Sequence, residues 1–218
     1  MLKFPCLVLD HDDTVVRSEA TVNYPCFCET MSLIRPDIVV TVEDYARGCS
    51  ELGFVDMCKQ WYNFTQKELD DEYIAWKQYS QKHRPTPVPG ICNIIKRQKA
   101  EGGKLFVVSH SAEEMILRDY KAYFEILPDQ VYGCDAPPEQ QKPSPYPILN
   151  IMEKYSYKPE EIFVVDDMKP GWEMARATGV KIGFAGWDRR GFPNIYNEMT
   201  KLCDYTFNTV TELGDFLF

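Results

Sequence analysis

Six residues hold most of the chemistry this sequence could perform, and they fall in four short stretches. Asp10 and Asp12 follow an apolar run at 4–9, and their two-residue spacing points both side chains the same way if extended geometry persists. Carboxylates crowded this closely repel one another and call for a cation or a shared proton. A second apolar run, 105–108, ends in Ser109-His110-Ser111. A hydroxyl there, backed by the start of a helix, makes a seat for an anion, because free amides and the helix dipole favour negative charge. Lys142 precedes Pro143 in a proline-rich loop, and a further strand expected at 161–165, apolar from Ile162 on, ends in Asp166-Asp167. Each stretch also has a plainer reading: an Asp-rich turn, a helix cap, a solvated loop lysine.

These residues need a scaffold that brings strand ends together. Continuous apolar runs of strand length suit parallel strands buried on both faces. In an open α/β sheet, ligands bind where such strands end at their carboxyl side. Between the runs, 91–99 reads as an amphipathic helix closed by Gly102-Gly103. Ser111 and Glu114 have capping-box spacing, which assigns Ser111 to a helix start. Further helices are expected at 148–155, through Met174, Ala175, Ala177 and Thr178, and at 212–217. Further strands are expected at 131–133, Lys181–Ala185 and Tyr205–Phe207.

From about 19 to 84 the texture changes to helical periodicity rich in aromatic and charged residues. Leu69, Tyr73, Trp76 and Tyr79 form a stripe at helical spacing, read as a packing face. Thr41 followed by Glu43 and Asp44 offers a cap and an acidic first turn. Trp61, Tyr62 and Phe64 form either the core of this segment or a wall facing a substrate. Residues 84–90, with three prolines and a glycine, mark the return to the first texture.

With 218 residues the chain suits one α/β domain plus an insertion, or two small domains. Its net charge of −9 argues against a nucleic-acid partner, though a bound divalent ion would invert the local field for a small phosphorylated substrate. No stretch approaches the ~20 apolar residues needed to span a bilayer, and no signal peptide is apparent at the N-terminus. The eight cysteines are scattered without a CxxC pair, so they read as reduced thiols in a cytoplasmic protein, mostly buried as small hydrophobes.

Asp10-x-Asp12-x-Thr14, Ser109, Lys142-Pro143 and Asp166-Asp167 with Gly171, in that order, resemble the four motifs of the haloacid dehalogenase-like superfamily. The length of the segment between the first two motifs is similar to the helical cap of its phosphoglycolate phosphatase-like and β-phosphoglucomutase-like branch. The resemblance implies a Rossmann-like parallel sheet with helices on both faces (1–18 and 85–218) and an inserted α-helical cap (19–84). It further implies a magnesium-dependent phosphatase acting on a small phosphorylated metabolite. In that reading Asp10 is the nucleophile and forms an aspartyl-phosphate. Asp12 is the general acid and base, and Ser109, the His110 amide and Lys142 stabilise the transferring oxygens. Asp10, Asp12 through its carbonyl, and Asp167 ligate magnesium, and Asp166 is either a further ligand or a holder of metal-bound water. Thr14 supports the phosphate-binding loop. Asp13 stands where the family very often has glycine, and Tyr146 where it often has an acidic residue. The alternatives are a phosphosugar mutase on the same scaffold and a non-catalytic phosphate-binding regulator. Val22 occupies the position where the mutase branch has a hinge histidine.

Overall fold

In the computed structural model, which describes residues 2–218, β1 (Cys6–Leu9) has all four side chains buried. The chain next makes a tight turn in which the Asp13 amide donates to the Val16 carbonyl (2.6 Å) and the Val15 amide to the His11 carbonyl (2.9 Å). It leaves through β2 (Val16–Arg17) and a π-helical turn at Glu19–Asn23. Four helices follow: α1 (Tyr24–Ile34), α2 (Val42–Leu52), α3 (Phe54–Tyr62) and α4 (Gln66–Lys82). The chain returns through β3 (Thr86–Pro87), which forms a two-stranded ribbon with β2. Strands and helices then alternate: α5 (Ile91–Ala100), β4 (Lys104–Val108), α6 (Glu113–Tyr123), β5 (Gln130–Tyr132), α7 (Tyr146–Tyr155), β6 (Ile162–Asp166), α8 (Lys169–Thr178), β7 (Lys181–Ala185), α9 (Pro193–Leu202), β8 (Tyr205–Phe207) and α10 (Val210–Leu217). Two compact units result, one from the segments up to Val16 and from Pro87 onward, the other Arg17–Thr86.

The larger unit is an α/β sandwich around a six-stranded sheet in the order β5-β4-β1-β6-β7-β8, with every neighbouring pair parallel. Strand periodicity divides its apolar runs between two faces. Leu7, Leu9, Leu105, Val107, Phe163 and Val165 pack with α5, α6 and α10. Cys6, Val8, Phe106, Val108, Ile162 and Val164 pack with α7 and α8. Both faces are covered, so neither alternate position in these strands is polar. Each fully buried aliphatic or aromatic side chain contributes about 1.5–3 kcal/mol. The sheet therefore holds the ends of β1, β4 and β6 side by side in fixed register.

The unit Arg17–Thr86 has its own apolar core. Phe27 is fully buried at its centre, with the rings of Tyr45, Phe54, Tyr62 and Phe64 at centroid distances of 5.3 to 6.1 Å. Tyr62 belongs to this core, while Trp61 packs at its edge beneath the Arg47 guanidinium, 4.9 Å from the ring. Thr41 caps α2 by accepting from the Asp44 amide, as its sequence suggested. Thr65 and Glu68 form a full capping box on α4, and Arg35 binds Glu68 and the Tyr62 and Asn63 carbonyls that end α3. The stripe expected on α4 needs correction. Tyr73, Trp76 and Tyr79 are only half-buried, and the most enclosed positions are Leu69, Glu72 and Ser80. A carboxyl thus sits on the packed face, with no hydrogen bond or ion pair among the described residues, and burial pushes the Glu72 pKa up to about 7.

Candidate active site

Asp10 follows β1, Ser109 follows β4 and Asp166 ends β6. Because β1 is flanked by β4 on one side and β6 on the other, these residues meet at the carboxyl edge of the sheet, where the strand order changes direction. The Asp10 amide donates to the Val165 carbonyl (2.9 Å), which continues the ladder to the first carboxylate. Asp10, Asp166 and Asp167 are all buried, and each offers a ligand oxygen within 4.8 Å of the other two.

Lys142 is buried between two of these carboxylates, with Nζ 2.7 Å from Asp10 Oδ1 and 2.7 Å from Asp166 Oδ2. Burial alone would lower the pKa of the ammonium. The charges of Asp10 and Asp166 outweigh it, and the group stays protonated well above the ordinary lysine range. Burial pushes Asp166 up to about 6 against the opposing pull of Lys142. Burial also raises Asp167, against the charge of Arg189 and with the charges of Asp10 and Asp166. Gly171 permits this packing: a Cβ there would lie 2.1 Å from Asp166 Oδ2 and 2.5 Å from its Cβ, inside any allowed contact.

The hydroxyls after β4 face Asp12. Ser111 Oγ donates to Asp12 Oδ2 at 2.6 Å and Ser109 Oγ at 3.3 Å, and the Ser111 amide donates to Ser109 Oγ (3.2 Å). This overturns the capping role expected for Ser111. α6 begins at Glu113 with Ala112 at its cap position and no side-chain cap, and Asp135 Oδ2 accepts from the Glu113 amide (2.7 Å). His110 Nε2 lies 2.7 Å from the Lys142 carbonyl oxygen, a contact that ties the β4 loop to the lysine loop. Thr14 is fully buried and its Oγ1 has no hydrogen-bond partner among the described residues, so its hydroxyl is not bonded to the carboxylates. The His11 side chain turns away into the core, with Nε2 3.4 Å from Asp119 Oδ2 and its ring stacked on Tyr120.

Arg189 was not anticipated. It lies beyond β7, is 2% exposed and grips Asp167 Oδ2 through Nε and a terminal nitrogen. The same guanidinium reaches Asp13 Oδ2 at 3.4 Å. Asp13 adopts a left-handed conformation (φ 54°), the backbone state that makes glycine common at its position. A carboxylate where glycine is usual was the one sequence signal for a buried cation nearby.

An all-oxygen set of three buried carboxylates fits a hard divalent cation such as magnesium. Lys142 and Arg189 each contact part of the set, so a cation would join a partly neutralised cluster rather than a bare one.

Comparison with known proteins bears on the family and the fold. A curated phosphoglycolate phosphatase of Aquifex aeolicus is 28% identical over 132 residues, 58% of this chain and 57% of that protein. The match thus spans little more than half the length of that relative. A predicted phosphoglycolate phosphatase from Haemophilus somnus has a similar solved structure, with a TM-score of 0.77 at 18% identity over 99% of both chains. CbbY from Rhodobacter sphaeroides, solved with phosphate, gives 0.74 at 18% identity over 98% of this chain and 97% of its own. At such identities the two structures speak for the fold. The model of the haloacid dehalogenase-like hydrolase family matches residues 7–185, from β1 to the end of β7. With four motifs in order along that span and their side chains gathered at one edge of the sheet, the chain belongs to the haloacid dehalogenase-like hydrolase family.

Proposed function

We propose that this protein is a magnesium-dependent phosphatase that hydrolyses a small phosphate monoester through an aspartyl-phosphate on Asp10. The observation that carries this reading is the meeting of Asp10, Asp166 and Asp167 at the sheet edge, with a buried lysine between the first two. The phosphoglycolate phosphatase relative and the phosphate held by CbbY support the substrate class.

Asp10 supplies the nucleophilic oxygen, which attacks phosphorus as the ester oxygen leaves. Asp12 gives that oxygen a proton and then takes one from the water that releases phosphate. The hydroxyls of Ser109 and Ser111 hold Asp12 Oδ2 from the β4 side and fix the direction of that transfer. Lys142 offers its ammonium to the transferring oxygens, where a preorganised cation acts strongly because water is excluded. Asp10, the Asp12 carbonyl and Asp167 would hold magnesium, with Asp166 either a direct ligand or a holder of metal-bound water. The ion, when bound, screens the phosphate charge that would otherwise repel the carboxylate. The unit Arg17–Thr86 serves as the cap that selects the substrate.

The test is phosphate release from a panel of small phosphate esters, with magnesium and with a chelator. Wild type is expected to turn over only with the metal. Asp10→Asn is expected to lose turnover while its circular dichroism spectrum stays native. Turnover in that variant beyond a trace would remove Asp10 as nucleophile.

A further inference from the structure

Arg189 lies outside the span that the family model matches, which ends at residue 185. Nothing in the motifs calls for it, yet it is among the most completely buried large side chains of the chain. A guanidinium taken out of water is costly unless carboxylates meet it with good geometry. The fold meets that demand at one place. β7 ends at Ala185, a 3₁₀ turn at Gly186–Asp188 reverses the chain, and Arg189 is turned back toward the end of β6. Its guanidinium is backed by the Phe192 ring at 5.5 Å. It faces Asp167 Oδ2 and, at 3.4 Å, Asp13 Oδ2.

We propose that Arg189 is a positioning residue for the cation: it holds Oδ2 of Asp167 and, through Asp13, locks the turn after β1 to the end of β6. The proposal rests on the metal-dependent reading above. Three features carry it. Both contacts to Asp167 fall on Oδ2, and no protein donor among the described residues reaches Oδ1. The carboxylate is therefore oriented with one oxygen committed and the other available. Asp13 stands in a left-handed conformation, a less favourable state for a residue with a Cβ, and its carboxylate meets the guanidinium at 3.4 Å. Finally, the clamp joins the two loops that carry Asp10 and Asp167, so it fixes the separation of ligands that come from different strands.

Charge alone predicts the opposite sign. A guanidinium beside a divalent cation repels it, so removing a mere competitor would tighten metal binding. Removing an organiser weakens it, and partners that orient a metal ligand are worth about 10- to 100-fold in affinity.

The experiment is titration of metal-free protein with Mn²⁺, read by the electron paramagnetic resonance of the free ion and by calorimetry, without substrate. Arg189→Met is expected to weaken binding by about 10-fold or more, and Arg189→Lys to recover part of the loss. Asp13→Asn, which keeps shape and removes the second anchor, is expected to weaken binding less but in the same direction. It also carries the test if Arg189→Met does not fold. Binding in Arg189→Met as tight as in wild type or tighter, or unchanged binding in Asp13→Asn where Arg189→Met is unfolded, would overturn the proposal and leave the phosphatase reading standing. A wild-type protein that binds no Mn²⁺ would remove both.

Discussion

Replacing Glu72 by glutamine is expected to stabilise the protein above pH 7 and to change its stability much less near pH 5. The carboxyl is 5% exposed on the packed side of α4, and its charge bears on Cys26 of α1, Tyr45 of α2 and Cys58 of α3. Glu19, also buried, adds a second negative charge facing Tyr45. Burial lifts Glu72 from 4.5 to about 7. The folded state therefore holds the proton more tightly than the unfolded chain. The stability this gives is fully present below about pH 4 and is lost as pH rises through about 7. At 1.36 kcal/mol per unit the whole loss is about 3 kcal/mol, of which about 2.5 falls between pH 5 and pH 8. Glutamine keeps the shape without the charge. Any fixed cost of its amide cancels when the two pH values are compared. The assay is urea unfolding of wild type and Glu72→Gln at both pH values, followed by far-ultraviolet circular dichroism. A gain at pH 8 that exceeds the gain at pH 5 by about 2 kcal/mol or more is the expected result. Equal effects at both values, or a loss at pH 8, would mean that the carboxylate has a partner in the folded protein and would refute the argument.

Two further outcomes follow from the site. Lys142→Met leaves Asp10 and Asp166 buried without their shared cation, so metal-free stability should fall by about 3–5 kcal/mol in urea melts, and phosphate release should be lost. Gly171→Ala forces a Cβ into Asp166, and Mn²⁺ titration should show weakened binding, with a stability loss of about 1–3 kcal/mol from overpacking.

The parts of this fold that sequence made plain are those in which local pattern and tertiary demand agree. Leu105 to Val108 and Ile162 to Val165 are apolar at every position because both faces of the sheet are covered. Thr41 caps α2 because nothing stronger competes for its hydroxyl than Asp44 next door. Ser111 shows the other case. Its spacing to Glu114 satisfies a capping rule, but the Asp12 carboxylate, 99 positions away, takes the hydroxyl instead. Long-range charge outcompeted a local amide. On α4, aromatic residues at helical spacing suggested the buried face, whereas the unpaired carboxyl of Glu72 lies deeper than any of the three rings. A buried acid runs against every hydropathy pattern. Arg189 and Arg190 look alike in sequence, as a charged turn between Trp187 and Gly191. Only the reversal after β7 decides that Arg189 is enclosed and Arg190 exposed.

The ribbon of β2 and β3 has a consequence for how the chain finds its sheet. Between Val16 and Pro87 lie about seventy residues. Closing a flexible loop of that length costs about 2.5 kcal/mol more than closing a four-residue turn. Once α1 to α4 have condensed on their own apolar core, both ends of the segment are held side by side in the ribbon. The sheet then experiences the detour as a short bend. Asp10 and Ser109 are almost a hundred positions apart along the sequence but only about thirty along the path that matters for pairing β1 with β4. Search time for non-local pairing grows with such separations, so the folded insertion adds little to the effective tether. By the same reasoning, an excursion of another size could occupy the same place without disturbing the register of β1 against its neighbours.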